Sequence, residues 1–326
     1  MYILKHKQPA KIEEITFAEL GMKESDIEEI LRKNVDMLCD DEESMLIVGQ
    51  QVRNAKQGRS DLTAIDNFGN LVLIEIKRDK KDIEARKEAF EFQAIRYAAS
   101  CATIKSTDEL VKNIYAPYVE KHMEEFSGDE LTAYEHATRR IIDFLEKNNV
   151  TSSFNDMQRI ILVASEFDEQ TLSAVAWLNS NHVDISCFQL CLYKMIEGVV
   201  LDVKKVLPIP EYDDFYVNVV GKEVTINREK RNITRRKLPK IETLIEWGIV
   251  KEGDLLIAKG TEVESELCAD GQVKTVNGKM SLQQWLKGIY NWSSVETYGF
   301  TVHKESGKTL SKLRSEYMEK QEVELL

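Results

Sequence analysis

The most telling pattern of apolar and polar positions lies between Gly58 and Lys77, GRSDLTAIDNFGNLVLIEIK. Residues 62–65 and 71–76 are mostly apolar, strand-like runs. Between them, Asn67-Phe68-Gly69 supplies a short turn with glycine where a positive φ is needed. The predicted β-hairpin pairs Asp66 with Asn70, and counting back along both strands sets Asp61 opposite Glu75. Residues 71–76 are apolar on both faces apart from Glu75, as in a central strand, and a carboxylate embedded there needs a partner. Lys77, two residues beyond Glu75, projects from the same face.

The remaining pattern predicts an α/β (α+β) chain, a mixed sheet flanked by helices. Residues 1–20 read as a short leading strand and turn. Residues 24–38 are helical, with Ile27, Ile30, Leu31 and Leu38 on one face, Glu28 beside it and Glu29 pointing away. A strand over 45–52 precedes the hairpin. A helix over 82–100 follows it, and there Gln93 and Tyr97 share a face at i, i+4. Residues 106–149 form a charged helical elaboration, interrupted near Pro117 and again at 127–129; His122 and His136 are expected to be exposed in it. A buried strand (159–165), a helix (168–181), a strand (183–193) and a returning strand (199–206) complete the first domain, 1–210, closed by Pro208 and Pro210.

A linker is expected over 211–240 and a second, small α+β domain over 241–318, with an acidic tail at 319–326. The small domain opens with a helix ended at Gly248. It continues through turns at Asp270-Gly271 and Asn277-Gly278 to a helix N-capped by Ser281. Trp247, Trp285 and Trp292 fall here, with a hydrophobic core as their ordinary use.

Charge changes this picture in one place. The chain of 326 residues carries a net charge of -12, which argues against a uniformly basic nucleic-acid binder. Yet residues 222–240 hold eight basic side chains against Glu223 and Glu229, a local balance of +6. Such a segment can grip a phosphate backbone, and Arg228, Arg231, Arg235, Arg236 and Lys237 are its candidate DNA contacts. The five cysteines include no C-x-x-C pair, so zinc is not expected and a reducing cytoplasm is. No run approaches the roughly 20 apolar residues of a membrane span, and residues 1–14 carry no secretory h-region.

Candidate chemistry centres on the hairpin. Cross-strand neighbours lie about 5 Å apart at Cβ, so Asp61 and Glu75 can share a divalent cation, Mg²⁺ or Mn²⁺, and would repel each other without one. At this point the residues carry a resemblance. Asp61, the E-x-K of Glu75-Ile76-Lys77 and Gln93-x-x-x-Tyr97 resemble the PD-(D/E)XK nuclease superfamily. The G-x-x-DLxAxD-x-x-G-x-LVxIExK run resembles its NucS-type endonuclease branch, with Ser60 where the superfamily has proline. The resemblance implies an α-β-β-β-α-β core. Asp61, Glu75 and the Ile76 carbonyl would hold the metal, Lys77 would act on the attacking water or the transition state, and Gln93 would orient. It also makes Glu28 a candidate further ligand, beside its plain reading as a surface glutamate.

The order of turns, Trp285 and GKTLSKLR in the small domain resembles the RAMA domain of restriction-modification proteins, which implies DNA reading, with Trp292 as an aromatic contact. The function expected is therefore a metal-dependent DNA endonuclease of restriction or phage defence. The alternatives are a mismatch or branched-DNA repair endonuclease and a non-cutting DNA-binding regulator. Expected partners are DNA, a second copy of the chain and restriction or defence subunits, with no membrane.

Overall fold

A computed structural model describes residues 2–5, 7–53, 58–79, 88–126, 130–195, 198–209 and 238–324. The chain forms two compact units, Met1–Pro208 with Trp292–Ser294, and Ile209–Asn291 with Val295–Leu326. The basic segment 222–237 lies outside the described residues, as do residues 82–87 of the helix expected over 82–100.

In the first unit the strands are β1 (Tyr2–Lys5), β2 (Gln8–Lys11), β3 (Glu13–Ile15), β4 (Met45–Arg53), β5 (Arg59–Asp66), β6 (Leu71–Lys77), β7 (Gln158–Ala164), β8 (Ile185–Met195) and β9 (Gly198–Leu207). Among the described residues seven of them form one mixed sheet in the order β3-β8-β7-β6-β5-β4, with β9 pairing β8. β6 is central: it runs antiparallel to β5 and parallel to β7. That placement explains its sequence, because a strand covered on both faces needs apolar residues at successive positions. Leu71 to Ile76 are all buried.

The hairpin forms in the expected register. Leu62 faces Ile74 and Ile65 faces Leu71, so one further step sets Asp61 at the level of Glu75. The Asp66 amide donates to the Asn70 carbonyl at 3.1 Å, and the Asp66 carboxylate accepts from the amides of Phe68 and Asn70, each at 3.0 Å. Gly69 is obligatory twice over: its φ is +80°, and a Cβ there would lie 2.5 Å from the Ser153 carbonyl oxygen. Asn155 locks this turn to the chain entering β7. Its amide donates to the Gly69 carbonyl at 2.8 Å and its side-chain oxygen accepts from the Leu71 amide at 3.2 Å. Its side-chain nitrogen donates to the carbonyls of Cys101 and Ile104, each at 2.9 Å.

The helices of this unit are α1 (Glu24–Lys33), α2 (Phe90–Cys101), α3 (Thr107–Leu110), α4 (Ala116–Lys121), α5 (Ala133–Lys147) and α6 (Glu169–Ser180). α2 and α6 bury Phe90, Ala94 and Val175 against Ile160 and Leu162 of β7 and Ile185 and Cys187 of β8. α1 packs on β5 and β6 through a face that buries Ile27 and Leu31, and it ends at Lys33, followed by a 3-10 turn over Val35–Leu38. The expected break at Pro117 takes another form. α3 passes into a wide π turn, Val111–Tyr115, and straight on into α4. Pro117 has no N–H to donate and its ring crowds the preceding turn, which a wider turn accommodates.

The second unit holds β10 (Leu255–Ala258), β11 (Glu264–Leu267), β12 (Val273–Thr275), β13 (Gly278–Met280), β14 (Thr301–His303) and β15 (Lys308–Thr309). They form a six-stranded antiparallel sheet, among the described residues, in the order β13-β12-β11-β10-β14-β15. Its helices are α7 (Ile241–Glu246), α8 (Leu282–Tyr290), α9 (Thr297–Phe300) and α10 (Leu310–Glu324). Ser281 caps α8 as expected: its hydroxyl accepts from the Gln284 amide at 3.2 Å, and Gln284 reaches back to the Ser281 amide. α10 continues through residues 319–324, so the acidic stretch prolongs a helix. Among the described residues no helix is long and apolar enough to cross a membrane.

Replacing Asn155 by Ala removes the acceptor of one buried amide and the donor to two carbonyls at once. Asn155→Ala is therefore expected to destabilise the first unit by about 2–3 kcal/mol, read as a lower urea midpoint at unchanged m value.

Candidate active site

Asp61 and Glu75 meet inside the sheet. Asp61 is 6% exposed and Glu75 0%. The Asp61 carboxylate accepts from the Ile76 amide at 2.7 Å, which fixes it across the two strands. Glu75 is held from α2, where the Gln93 side-chain nitrogen lies 3.3 Å from Oε2. Its other oxygen, Oε1, is buried with no hydrogen-bond partner. A buried carboxylate oxygen without a donor is costly unless a cation takes its place.

Burial raises the pKa of both carboxyls, most of all that of Glu75. Burial pushes the Asp61 carboxyl up from the ordinary range, offset by Lys77 and by the Ile76 hydrogen bond. Burial pushes Glu75 further, and the charge of Asp61 adds to it, against the opposing pull of Lys77. Hard oxygen ligands of this kind suit Mg²⁺ or Mn²⁺. The orphaned Glu75 oxygen, on a residue level with Asp61, fits such an ion.

Lys77 sits at the rim. Its ammonium donates to the Ile76 carbonyl at 2.9 Å, lies 3.3 Å from Glu24 Oε1, and stands 5.7 Å from the centre of the Phe90 ring. The Ile76 carbonyl, expected as a metal ligand, is thus engaged by the lysine in this arrangement. A carbonyl has two lone pairs, so the two roles do not exclude each other.

Glu28 is buried, which removes its surface reading. Burial raises its pKa, opposed first by a hydrogen bond from the Gln51 side chain and then by one from Gln50. Two irregularities of β4 bring those glutamines there: the register with β5 shifts between Ile47 and Gly49, and Gln51 has a φ of +58°. Glu28 and Glu24 both act electrostatically on Asp61, which places the start of α1 beside the hairpin carboxylates.

The other sequence-predicted residues divide. Tyr97 serves the frame, its hydroxyl accepting from the Arg59 amide at 2.9 Å. Its neighbour Arg96, which was not a sequence candidate, pairs with Glu88. His122, expected to be exposed, has a side chain 13% exposed, with Nε2 3.0 Å from Gln50 Oε1. Arg228, Arg231, Arg235, Arg236 and Lys237 lie outside the described residues. Trp292 is a correction. It is 3% exposed and meets Phe144 edge-on with ring centres 4.7 Å apart. A ring packed in this way offers no face on which a base could stack.

Glu24 and Gln51 were not among the sequence candidates. Glu24 had a signal, since it precedes Glu28 by one helical turn and so shares its face. Gln51 had none, because its position depends on the bulged backbone of β4.

In the second unit Asp254, His303 and Glu305 present ligand atoms within 4.8 Å of one another. There His303 Nε2 pairs with Asp254 at 3.2 Å and Nδ1 lies 3.0 Å from the Ser306 hydroxyl, which accounts for the cluster by its own bonds.

No protein-family model matches the chain, and no curated protein matches it either.

The raised carboxyl of Glu75 has a consequence for stability. A carboxyl whose folded pKa is raised favours the folded state below its unfolded pKa, and that contribution is lost as pH rises through the folded value. For Glu75 the window runs from the ordinary carboxyl range up to about 9. In the presence of chelator the melting temperature should fall across this window by roughly 5 °C, and Glu75→Gln should flatten the decline, as read by differential scanning calorimetry.

Proposed function

We propose that the chain is a Mg²⁺- or Mn²⁺-dependent deoxyribonuclease of the PD-(D/E)XK class, hydrolysing phosphodiester bonds of DNA in restriction or phage defence. The observation that carries this reading is Glu75: a glutamate on a central strand, one oxygen held by Gln93 and the other without a donor, at the level of Asp61. A binding module has no need of such a carboxylate, which costs stability in every metal-free molecule.

The chain's own residues divide the work. Asp61 and Glu75 would hold the ion. When bound, it supplies Lewis acidity, neutralising charge on the phosphate oxygens and acidifying water. The Ile76 amide keeps Asp61 directed across the hairpin, and Gln93 keeps Glu75 from turning away. Lys77 presents an ammonium at the mouth of the pair, where it can donate to a phosphate oxygen or to the attacking water. Glu28, oriented by Gln51, adds a third carboxylate that can take part in holding cations.

Substrate retention is assigned to the basic residues 222–240 and to the second unit, which resembles a RAMA domain and would read the DNA without Trp292. Action on both strands suits a pair of chains, and other defence subunits can supply further selection. The free cysteines Cys39, Cys101, Cys187, Cys191 and Cys268 suit a reducing cytoplasm as the compartment.

The test is a panel of single-stranded, duplex, mismatched and base-modified DNA incubated with Mg²⁺ or Mn²⁺. Wild-type protein should cut at least one member. Asp61→Ala, Glu75→Ala and Lys77→Ala should each lower the rate at least about 100-fold while DNA retention persists. Undiminished cutting by any of the three would refute the assignment, and binding without cutting would favour a DNA-binding regulator.

A further inference from the structure

Lys77 is held by a residue that no part of the E-x-K pattern contains. Its side chain is 13% exposed, and among the described residues the carboxylate paired with it is Glu24, not Asp61 or Glu75, its neighbours on the hairpin. An ammonium has three N–H donors. One goes to the Ile76 carbonyl and one faces Glu24, while the ammonium stands over the Phe90 ring, 5.7 Å from its centre. Two donors fixed in direction fix the third.

Glu24 is free for this task because a neighbour caps the helix. The Lys23 amide at the start of α1 donates to Asp26 at 2.7 Å, so Asp26 meets the need that first-turn acids usually serve. The Glu24 side chain, 39% exposed, turns instead toward the end of β6. A second tie runs alongside, from the Arg78 guanidinium to the Met22 carbonyl at 3.4 Å. The beginning of α1 and the end of β6 are therefore joined by contacts of two successive β6-end residues, Lys77 and Arg78. Burial of Ile27 and Leu31 one turn further on anchors the helix that carries Glu24.

We infer that Glu24 is a positioning residue: it fixes the direction of the Lys77 ammonium at the mouth of the Asp61–Glu75 pair. It also keeps that ammonium from collapsing onto either carboxylate, which would close the pair to a cation. The inference rests on the nuclease reading for its kinetic consequence and on geometry alone for the pairing, so two measurements are made on the full chain.

In the first, cleavage kinetics of Glu24→Gln and Glu24→Ala should show kcat lowered roughly 10- to 100-fold with KM changed by less than about 2-fold. Glu24→Asp, which keeps the charge on a shorter arm, should fall between these variants and wild type. In the second, ¹³C-lysine correlation spectra are recorded, with the Lys77 ε-methylene signal identified by its loss in Lys77→Arg. That signal should lie upfield of the other lysines under the Phe90 ring and move toward them in Glu24→Ala. Unchanged kcat together with an unmoved Lys77 signal would overturn the inference. Wild-type protein that cuts no DNA would remove the nuclease reading, and the Lys77 signal would then decide the pairing by itself.

Discussion

The constraint on which the site depends is the burial of Glu75 on the central strand β6. Its neighbours along the strand, Ile74 and Ile76, are fully buried, as is Leu162, its partner on parallel β7. Desolvation in that setting favours the protonated form, and the adjacent Asp61 strengthens the preference. The surroundings relieve only part of the cost: Gln93 reaches one oxygen and nothing reaches the other. Such incomplete satisfaction is stored at functional sites more often than in frames, because a ligand can complete it. The rest of the unit keeps the pair in place through the Asp66 turn, the Asn155 lock and the packing of α2.

Much of this frame was legible in the chain. The hairpin could be read because its turn chemistry and its two apolar runs agree on a single register, and the register alone sets Asp61 level with Glu75. Gln93 could be placed only through the resemblance, since a lone glutamine on an amphipathic helix has no signature. The helix 24–38 was legible in existence but not in its end, where a 3-10 turn takes over. The run through Pro117 went the other way, a continuous helix absorbing the proline in a wide turn.

What escaped depends on backbone irregularity or on burial. Gln51 reaches Glu28 by way of a shifted register and a left-handed φ, neither of which side-chain pattern encodes. Trp292 is a DNA contact only by way of the RAMA resemblance, while its ordinary reading is core, and here its ring meets Phe144. His122 is comparable: without a ligand-spaced companion it reads as exposed, while the structure turns it onto Gln50. Two glutamates of α1, Glu24 paired with Lys77 and Glu28 acting on Asp61, thus join the hairpin residues Asp61, Glu75 and Lys77 from an element far away in sequence, and only the hairpin half of that group announces itself locally.

The central claim is that Asp61 and Glu75 form a divalent-cation site, and calorimetric titration of the full chain with Mn²⁺ at pH 7 tests it most directly. Because burial and the charge of Asp61 favour the protonated form of Glu75, saturable binding should release protons, seen as a heat that varies with the ionisation enthalpy of the buffer. Both the binding and the proton release should vanish in the Asp61→Asn, Glu75→Gln double variant. Equal binding by that variant, or no binding by the wild type, would contradict the claim.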